Sequence, residues 1–114
     1  MYSVSSNAVA SMLVSENTSI EISNHNSAMN LYRFGKVVFM SFEGAWTSLD
    51  AGTSAALGNI PQGYRPIDVV RLREASDQSI QLTISANGLV TAYNYDSGFS
   101  SLRNGRYTAC WITN

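Results

Sequence analysis

The sequence of 114 residues contains one cysteine, one histidine and two prolines. The single Cys110 excludes an intrachain disulfide framework and any zinc site built from several cysteines. No apolar run approaches the roughly 20 residues that a membrane-spanning helix needs, so we expect no membrane insertion. The first residues lack the charged start and continuous apolar stretch of a signal peptide, and we expect no secretion by that route.

Charge is scarce as well. The formal net charge is −1, so there is no basic excess to hold phosphates, and we expect no nucleic-acid binding. Charged residues make up 13% of the chain, about half their usual share of a soluble domain. Ser, Thr and Asn take their place, and short polar side chains favour turns and sheets over helices. The composition therefore predicts one all-β domain whose surface is covered by copies of itself or meets neutral ligands.

The N-terminal stretch has a different pattern from the remainder. Its apolar residues recur at helical spacing, at Val4, Ala8, Val9, Met12 and Leu13. A helix of about ten residues is marginal alone in water and needs a partner surface. Parallel copies of the same helix and the helix's own domain are both open as that partner. We predict a connecting and trimerisation helix over residues 1–16, with these five residues at the trimer interface, followed by a β-sandwich domain over residues 17–114.

Beyond this helix, apolar and polar residues alternate in short segments that are separated by turn residues. The predicted strands are Thr18–Asn24, Ala28–Phe34, Lys36–Glu43, a short piece that begins at Trp46, Ile67–Glu74 and Arg106–Thr113, together with the two strands of a hairpin. Residues 52–66 are expected to be a loop. Short strands with regular turns predict an antiparallel, jelly-roll-like β-sandwich.

The hairpin carries the clearest local signal, Ala86-Asn87-Gly88-Leu89. Asn-Gly favours a two-residue loop, which places Ile84 opposite Thr91 and Leu82 opposite Tyr93. In that register one face is apolar and the other largely polar. Tyr93 and Tyr95 then lie on the apolar face, and we predict that both belong to the core.

Four segments of the chain resemble, in order, segments of phage and prophage tail-fibre proteins. Val4-Ser-Ser-Asn-Ala-Val-Ala10 looks like the segment that joins shaft to tip in such fibres. Gly58-Asn-Ile-Pro-Gln-Gly-Tyr-Arg-Pro66 is similar to a loop of their tip domains. Ile84-Ser-Ala-Asn-Gly-Leu-Val90 and the aromatic final strand with Tyr107 complete the order, so that the resemblance covers nearly the whole chain.

The resemblance implies a trimeric β-sandwich knob at the distal end of a tail fibre in the virion, or its prophage-encoded equivalent. Such knobs typically bind saccharides on a bacterial surface, so the implied partners are a cell-surface saccharide, two further copies of the chain and the rest of the fibre. Because Met1 is followed at once by the connecting segment, we expect a C-terminal fragment of a longer protein or a split gene. The family shares no fixed binding motif, so the resemblance assigns no ligand residue.

No catalytic constellation stands out in the sequence. His25 lies in the polar segment Asn24-His-Asn-Ser27 and is expected at the surface, and no nucleophile elbow is present. A glycosidase needs two carboxylates across a sugar, and nothing in the pattern selects such a pair. Cys110 is expected to be a small packed thiol. We expect a non-enzymatic protein without a cofactor or metal; a structural trimerisation and capping module is the alternative to a binding domain.

Ligand candidates are aromatic and planar polar side chains, since a ring stacks on the apolar face of a sugar and polar groups bind its hydroxyls. Trp46 lies near a strand end, where core filling or a subunit contact is the competing role. Arg65 is expected to hold its loop by donating to backbone carbonyls. The candidate ligand residues for a shallow groove are Trp46, Asp96, Phe99, Arg103 and Asn104.

Overall fold

The computed structural model describes residues 15–47, 49–73, 80–95 and 104–114. These residues form eight strands and no helix. The strands are β1 (Ser15–Glu21), β2 (Ala28–Phe34), β3 (Val37–Ala45), β4 (Ser54–Asn59), β5 (Val70–Arg73), β6 (Ile80–Ile84), β7 (Leu89–Asn94) and β8 (Asn104–Ile112). The N-terminal helix and all five residues of its trimer interface lie outside the described residues, and β1 already includes Ser15 and Glu16.

Two four-stranded antiparallel sheets make up the fold. Sheet 1 has the strand order β1-β2-β3-β8, and sheet 2 has the order β4-β7-β6-β5. The chain builds three strands of sheet 1, then all of sheet 2, and returns with β8 beside β3. The architecture is all-β and consistent with the predicted β-sandwich.

One apolar cluster joins the two sheets, because alternate side chains of each strand point to the same face. Sheet 1 contributes mainly Met29, Leu31, Val38, Met40, Phe42, Tyr107 and Trp111. Sheet 2 contributes mainly Leu57, Ile80, Leu82, Ile84, Val90 and Ala92. All of these side chains are less than 7% exposed, so the core lies between the sheets.

Strands with a clear apolar alternation were predicted well. The predicted strand Ala28–Phe34 is β2 itself, and the predicted strand Lys36–Glu43 corresponds to β3, which lies between β2 and β8. Both faces of β3 carry apolar residues, and one of these faces is open to solvent, with Val37 and Phe39 at 37% and 40% exposure.

The expectation of a continuous loop over residues 52–66 is also wrong, because β4 forms there and pairs with β7. Its sequence, Ser-Ala-Ala-Leu-Gly-Asn, has no β-branched or aromatic residue, so local propensity gives no strand signal. A shift in register between Ala56 and Gly58 interrupts the pairing. The remainder is a loop, in which Arg65 Nε donates a 2.6 Å hydrogen bond to the Ile60 carbonyl, as predicted for that arginine.

The hairpin between β6 and β7 forms, but its register differs by one residue from the prediction. Ile84 pairs with Val90 and Leu82 pairs with Ala92. Gly88 has φ 94° and donates a hydrogen bond to the Ser85 carbonyl, so the loop contains three residues, Ala86 to Gly88. Because side chains alternate along a strand, this shift exchanges the two faces of β7. The prediction that Tyr93 and Tyr95 are core residues is therefore wrong.

Candidate functional site

Two of the five candidate ligand residues lie in the described part of the chain. Asn104 begins β8 and pairs through its backbone with Ala45, the last residue of β3, which directly precedes Trp46. Asp96, Phe99 and Arg103 lie outside the described residues.

Trp46 packs inside the domain. Its ring makes edge-on contacts with Phe42 at 5.9 Å, with Tyr107 at 6.3 Å and with His25 at 4.7 Å between ring centroids. Only 1% of the residue is exposed, so neither ring face is open for stacking on a ligand. Trp46 therefore fills the core, which was the competing role, and it offers no ring face to a ligand.

His25 is buried, which corrects the expectation of a surface histidine. Its ring centroid lies 4.2 Å from that of Phe42, and 8% of the residue is exposed. Burial lowers the pKa of His25 below its ordinary value of 6.5, against the opposing effect of a backbone hydrogen bond with Gly44. Ser27 Oγ lies 3.2 Å from Nδ1, while Nε2 has no partner within the described residues. The turn that contains His25 thus places this polar residue at the margin of the core, where its neighbours Phe42 and Trp46 are aromatic.

Two tyrosines that were expected in the core are instead exposed on the outer face of sheet 2. Tyr93 is 38% exposed and Tyr95 is 54% exposed. Their ring centroids are 4.5 Å apart, with 57° between the ring planes. Asn94, between them, is fully buried and donates through Nδ2 to the Leu49 carbonyl at 2.9 Å. This buried hydrogen bond helps to fix the strand face from which the two rings project.

Arg73 of β5 contacts the tyrosine pair and is itself hydrogen-bonded to Gln81 of β6. Arg73 Cζ lies 4.6 Å from the centre of the Tyr95 ring, a cation–π contact. Its Nη2 also donates to Gln81 Oε1 at 3.4 Å. Arg73 pairs with Gln81 across the strands, and Gln81 pairs with Tyr93. The four side chains thus form one supported group, which we call the tyrosine platform.

The tyrosine platform continues into a polar surface. Thr83 and Thr91 pair across β6 and β7, and Arg71 pairs with Thr83 at the edge of the sheet. Stacking rings beside amides, hydroxyls and guanidinium groups are the combination that saccharide binding requires. The described strands place no Asp or Glu on this face.

The tyrosine platform was not predicted because the sequence of the hairpin fits loops of two different lengths. Asn87-Gly88 fits either a two-residue loop or a three-residue loop with glycine at its last position. Both faces of β7 carry apolar side chains, with Val90 and Ala92 on one and Tyr93 on the other. The amphipathic nature of tyrosine, an apolar ring with a polar tip, was the available signal for the correct register.

The outer face of sheet 1 has a different character. Cross-strand pairs form two apolar rows, Tyr32–Phe39–Cys110 and Phe34–Val37–Ile112. Phe34, Phe39 and Ile112 are 46%, 40% and 50% exposed. Cys110 is exposed as well, so the expectation of a packed thiol is wrong. We call these six residues the apolar rows.

No family model matches the chain, and no curated protein matches its sequence. In the described part of the chain, no helix is long and apolar enough to cross a membrane. Among the same residues, no group of three or more His, Cys, Asp or Glu side chains is arranged to hold a metal ion.

Proposed function

We propose that the chain is the tip domain of a phage or prophage tail fibre and binds bacterial cell-surface saccharide as a homotrimer, without enzymatic activity. The proposal includes a jelly-roll-like knob, an N-terminal connecting helix and a location at the fibre tip of the virion. It is supported by the ordered resemblance of four segments to tail-fibre proteins and by the compatibility of an all-β, two-sheet fold with such a knob.

The observation that carries the binding role is the tyrosine platform. Two neighbouring aromatic rings at 38% and 54% exposure form an exposed patch of the kind that marks a contact site. The cation–π contact with Arg73, which also hydrogen-bonds Gln81, helps to hold the Tyr95 ring in place before a ligand arrives. Preorganisation of this kind lowers the entropy lost on binding. Three such sites on one trimer would add avidity to a weak single site.

The apolar rows support the homotrimer. They form a contiguous patch of uncharged side chains on the outer face of a sheet, the kind of surface that marks a protein contact. The N-terminal residues Val4, Ala8, Val9, Met12 and Leu13 would supply a second contact in the proposed helix. The same rows favour the alternative function, a structural module that trimerises and caps a fibre while another domain binds the host.

Binding of the purified chain to host cells, or to their extracted wall polysaccharides, tests the proposal. We expect Tyr93→Ala and Tyr95→Ala to lower binding about tenfold each, because stacking contacts of this kind contribute on the order of 1 kcal/mol. Ile67→Ala, which removes a 56% exposed apolar side chain outside both the tyrosine platform and the apolar rows, is the control. A trimer that binds no saccharide, while its fibre still needs the domain for assembly, would support the capping module instead.

A further inference from the structure

Five arginines lie in the described part of the chain, and Arg71 differs from the other four in its contacts. Each of those four is engaged with a specific group: Arg33 with the Gly35 and Gly63 carbonyls, Arg65 with the Ile60 carbonyl, Arg73 with Gln81 and Tyr95, and Arg106 with Glu43. Arg71 is exposed and makes no hydrogen bond or ion pair among the described residues. A guanidinium group has five donors in a fixed plane, and those of Arg71 are open to a ligand.

Arg71 lies on the same face as the tyrosine platform. It pairs with Thr83, and Thr83 pairs with Thr91, so that a guanidinium and two hydroxyls form one row across β5, β6 and β7. The platform begins two residues further along these strands. From the ordinary spacings of a sheet, the backbones of Arg71 and Tyr93 are about 12 Å apart, a distance comparable with the length of a disaccharide.

Among the described strand residues, the charge on this face has one sign. The described strands of sheet 2 present two arginines outward and no carboxylate, although the whole chain has a net charge of −1. Arginine binds carboxylate and phosphate oxygens in a bidentate manner and more strongly than it binds neutral acceptors. The positive charge of this surface thus differs from the low net charge of the whole chain. The low net charge alone would suggest a neutral ligand.

We propose that the tyrosine platform takes an acidic saccharide, with a sugar ring on Tyr93 and Tyr95 and the carboxylate or phosphate of the glycan on Arg71. This inference rests on the proposed saccharide-binding function and adds the chemical class of the ligand. A single-stranded nucleic acid also offers flat rings and phosphates. The saccharide is favoured because a nucleic-acid groove needs a line of cations along the backbone, whereas this row has one arginine followed by two hydroxyls.

An array of purified bacterial polysaccharides tests the inference, with uronic-acid polymers, phosphate-linked polymers, their neutral counterparts and oligothymidylate as probes. Each uronic-acid polymer is printed beside its methyl ester, which removes the charge and keeps the sugar. We expect binding to acidic members, loss on methyl esterification for a uronic-acid ligand, and weakening by added salt. The two acidic classes on the array distinguish carboxylate from phosphate.

Variants locate the contact. We expect Arg71→Gln to lower affinity for the acidic probe about tenfold, while Lys36→Gln, which removes an exposed cation from the β2–β3 turn, leaves it unchanged. Binding to neutral polysaccharides that depends on Tyr93 would overturn the acidic class and leave the proposed function standing. Acidic binding that survives Arg71→Gln, or preference for oligothymidylate, would overturn the inference. Absence of binding to every polysaccharide would overturn both proposals.

Discussion

The indole nitrogen of Trp111 donates a 2.7 Å hydrogen bond to the backbone carbonyl of Tyr64. The bond joins β8 of sheet 1 to the loop that follows β4 of sheet 2. Trp46 is buried to a similar extent, with 1% exposure against 6% for Trp111, but its Nε1 has no partner within the described residues. The two tryptophans therefore fill the same core with different hydrogen-bonding states.

This difference predicts unequal costs for the same substitution. Trp→Phe removes similar volume at both positions, but Trp111→Phe also leaves the buried Tyr64 carbonyl without its donor. We expect Trp111→Phe to lower the free energy of unfolding by about 1–2 kcal/mol more than Trp46→Phe does. Urea denaturation with matched m-values measures both. Equal losses would mean that the hydrogen bond to Tyr64 adds no net stability.

Gly88 and Gly35 test the hairpin loop. Both have positive φ, at 94° and 61°, but a Cβ on Gly88 would lie 2.5 Å from Arg65 Nε and from the Ile60 carbonyl oxygen. A Cβ on Gly35 meets nothing within 4 Å. We therefore expect Gly88→Ala to cost about 1–3 kcal/mol more than Gly35→Ala, because overpacking adds to the backbone penalty. Thermal or urea unfolding of the two variants measures these losses of stability. A smaller loss of stability for Gly88→Ala than for Gly35→Ala would contradict the close approach at Gly88.

His25 predicts a pH dependence of stability. Its pKa is lowered in the folded protein by burial and returns to about 6.5 on unfolding. The unfolded chain then binds more protons below pH 6.5, so the free energy of unfolding should fall as the pH drops through that value. Well above pH 6.5 His25 is neutral in both states, and its burial no longer makes the free energy of unfolding depend on pH.

The measurement compares urea midpoints from pH 8 to pH 5 for the natural chain and for His25→Gln. We expect the slope below pH 6.5 to be smaller in the variant, whatever its absolute stability. Identical slopes would assign the pH dependence to other groups.

Phe39 tests the apolar rows as a subunit contact. The side chain is 40% exposed, so Phe39→Asp should cost the single subunit little while placing a charge in the proposed interface. We expect the trimer to dissociate at micromolar concentration in this variant. Asn30→Asp adds the same charge in the polar part of the same face and serves as the control. Light scattering gives the mass, and an unchanged trimer would place the interface elsewhere.

The sequence predicted much of the fold where one face of a strand is plainly apolar, as in β2 and β3. It failed at β4, whose small residues form a strand only because β7 offers a partner. Pairing of this kind depends on residues distant in sequence, and no local pattern reports it. The helix predicted over residues 1–16 stays a prediction for residues 1–14, because Ser15 and Glu16 belong to β1.

The candidate site was harder to predict because exposure depends on register. The indole ring of Trp46 is suited to stacking on a ligand. In the fold, however, Trp46 forms a β-bridge with His25 and its side chain lies in the core. Tyr93 and Tyr95 had the right chemistry, but a loop longer by one residue decided which face of β7 they occupy. The residue types in the sequence indicated which side chains could bind a ligand. Only the pairing of the strands showed which of these side chains reach solvent.

Arg71 and three of the four platform residues, Arg73, Gln81 and Tyr93, sit on ladder positions of paired strands, and Tyr95 directly follows β7. Their separations come in fixed steps, set by the gap between strands and by the two-residue repeat along each strand. Lengthening or shortening a loop elsewhere would leave these steps unaltered, whereas exchanging one outward side chain would change a single contact. Under the proposed function, a change of ligand would need only point substitutions at these fixed positions, and variation among homologous tip domains should concentrate at alternate positions of β5, β6 and β7.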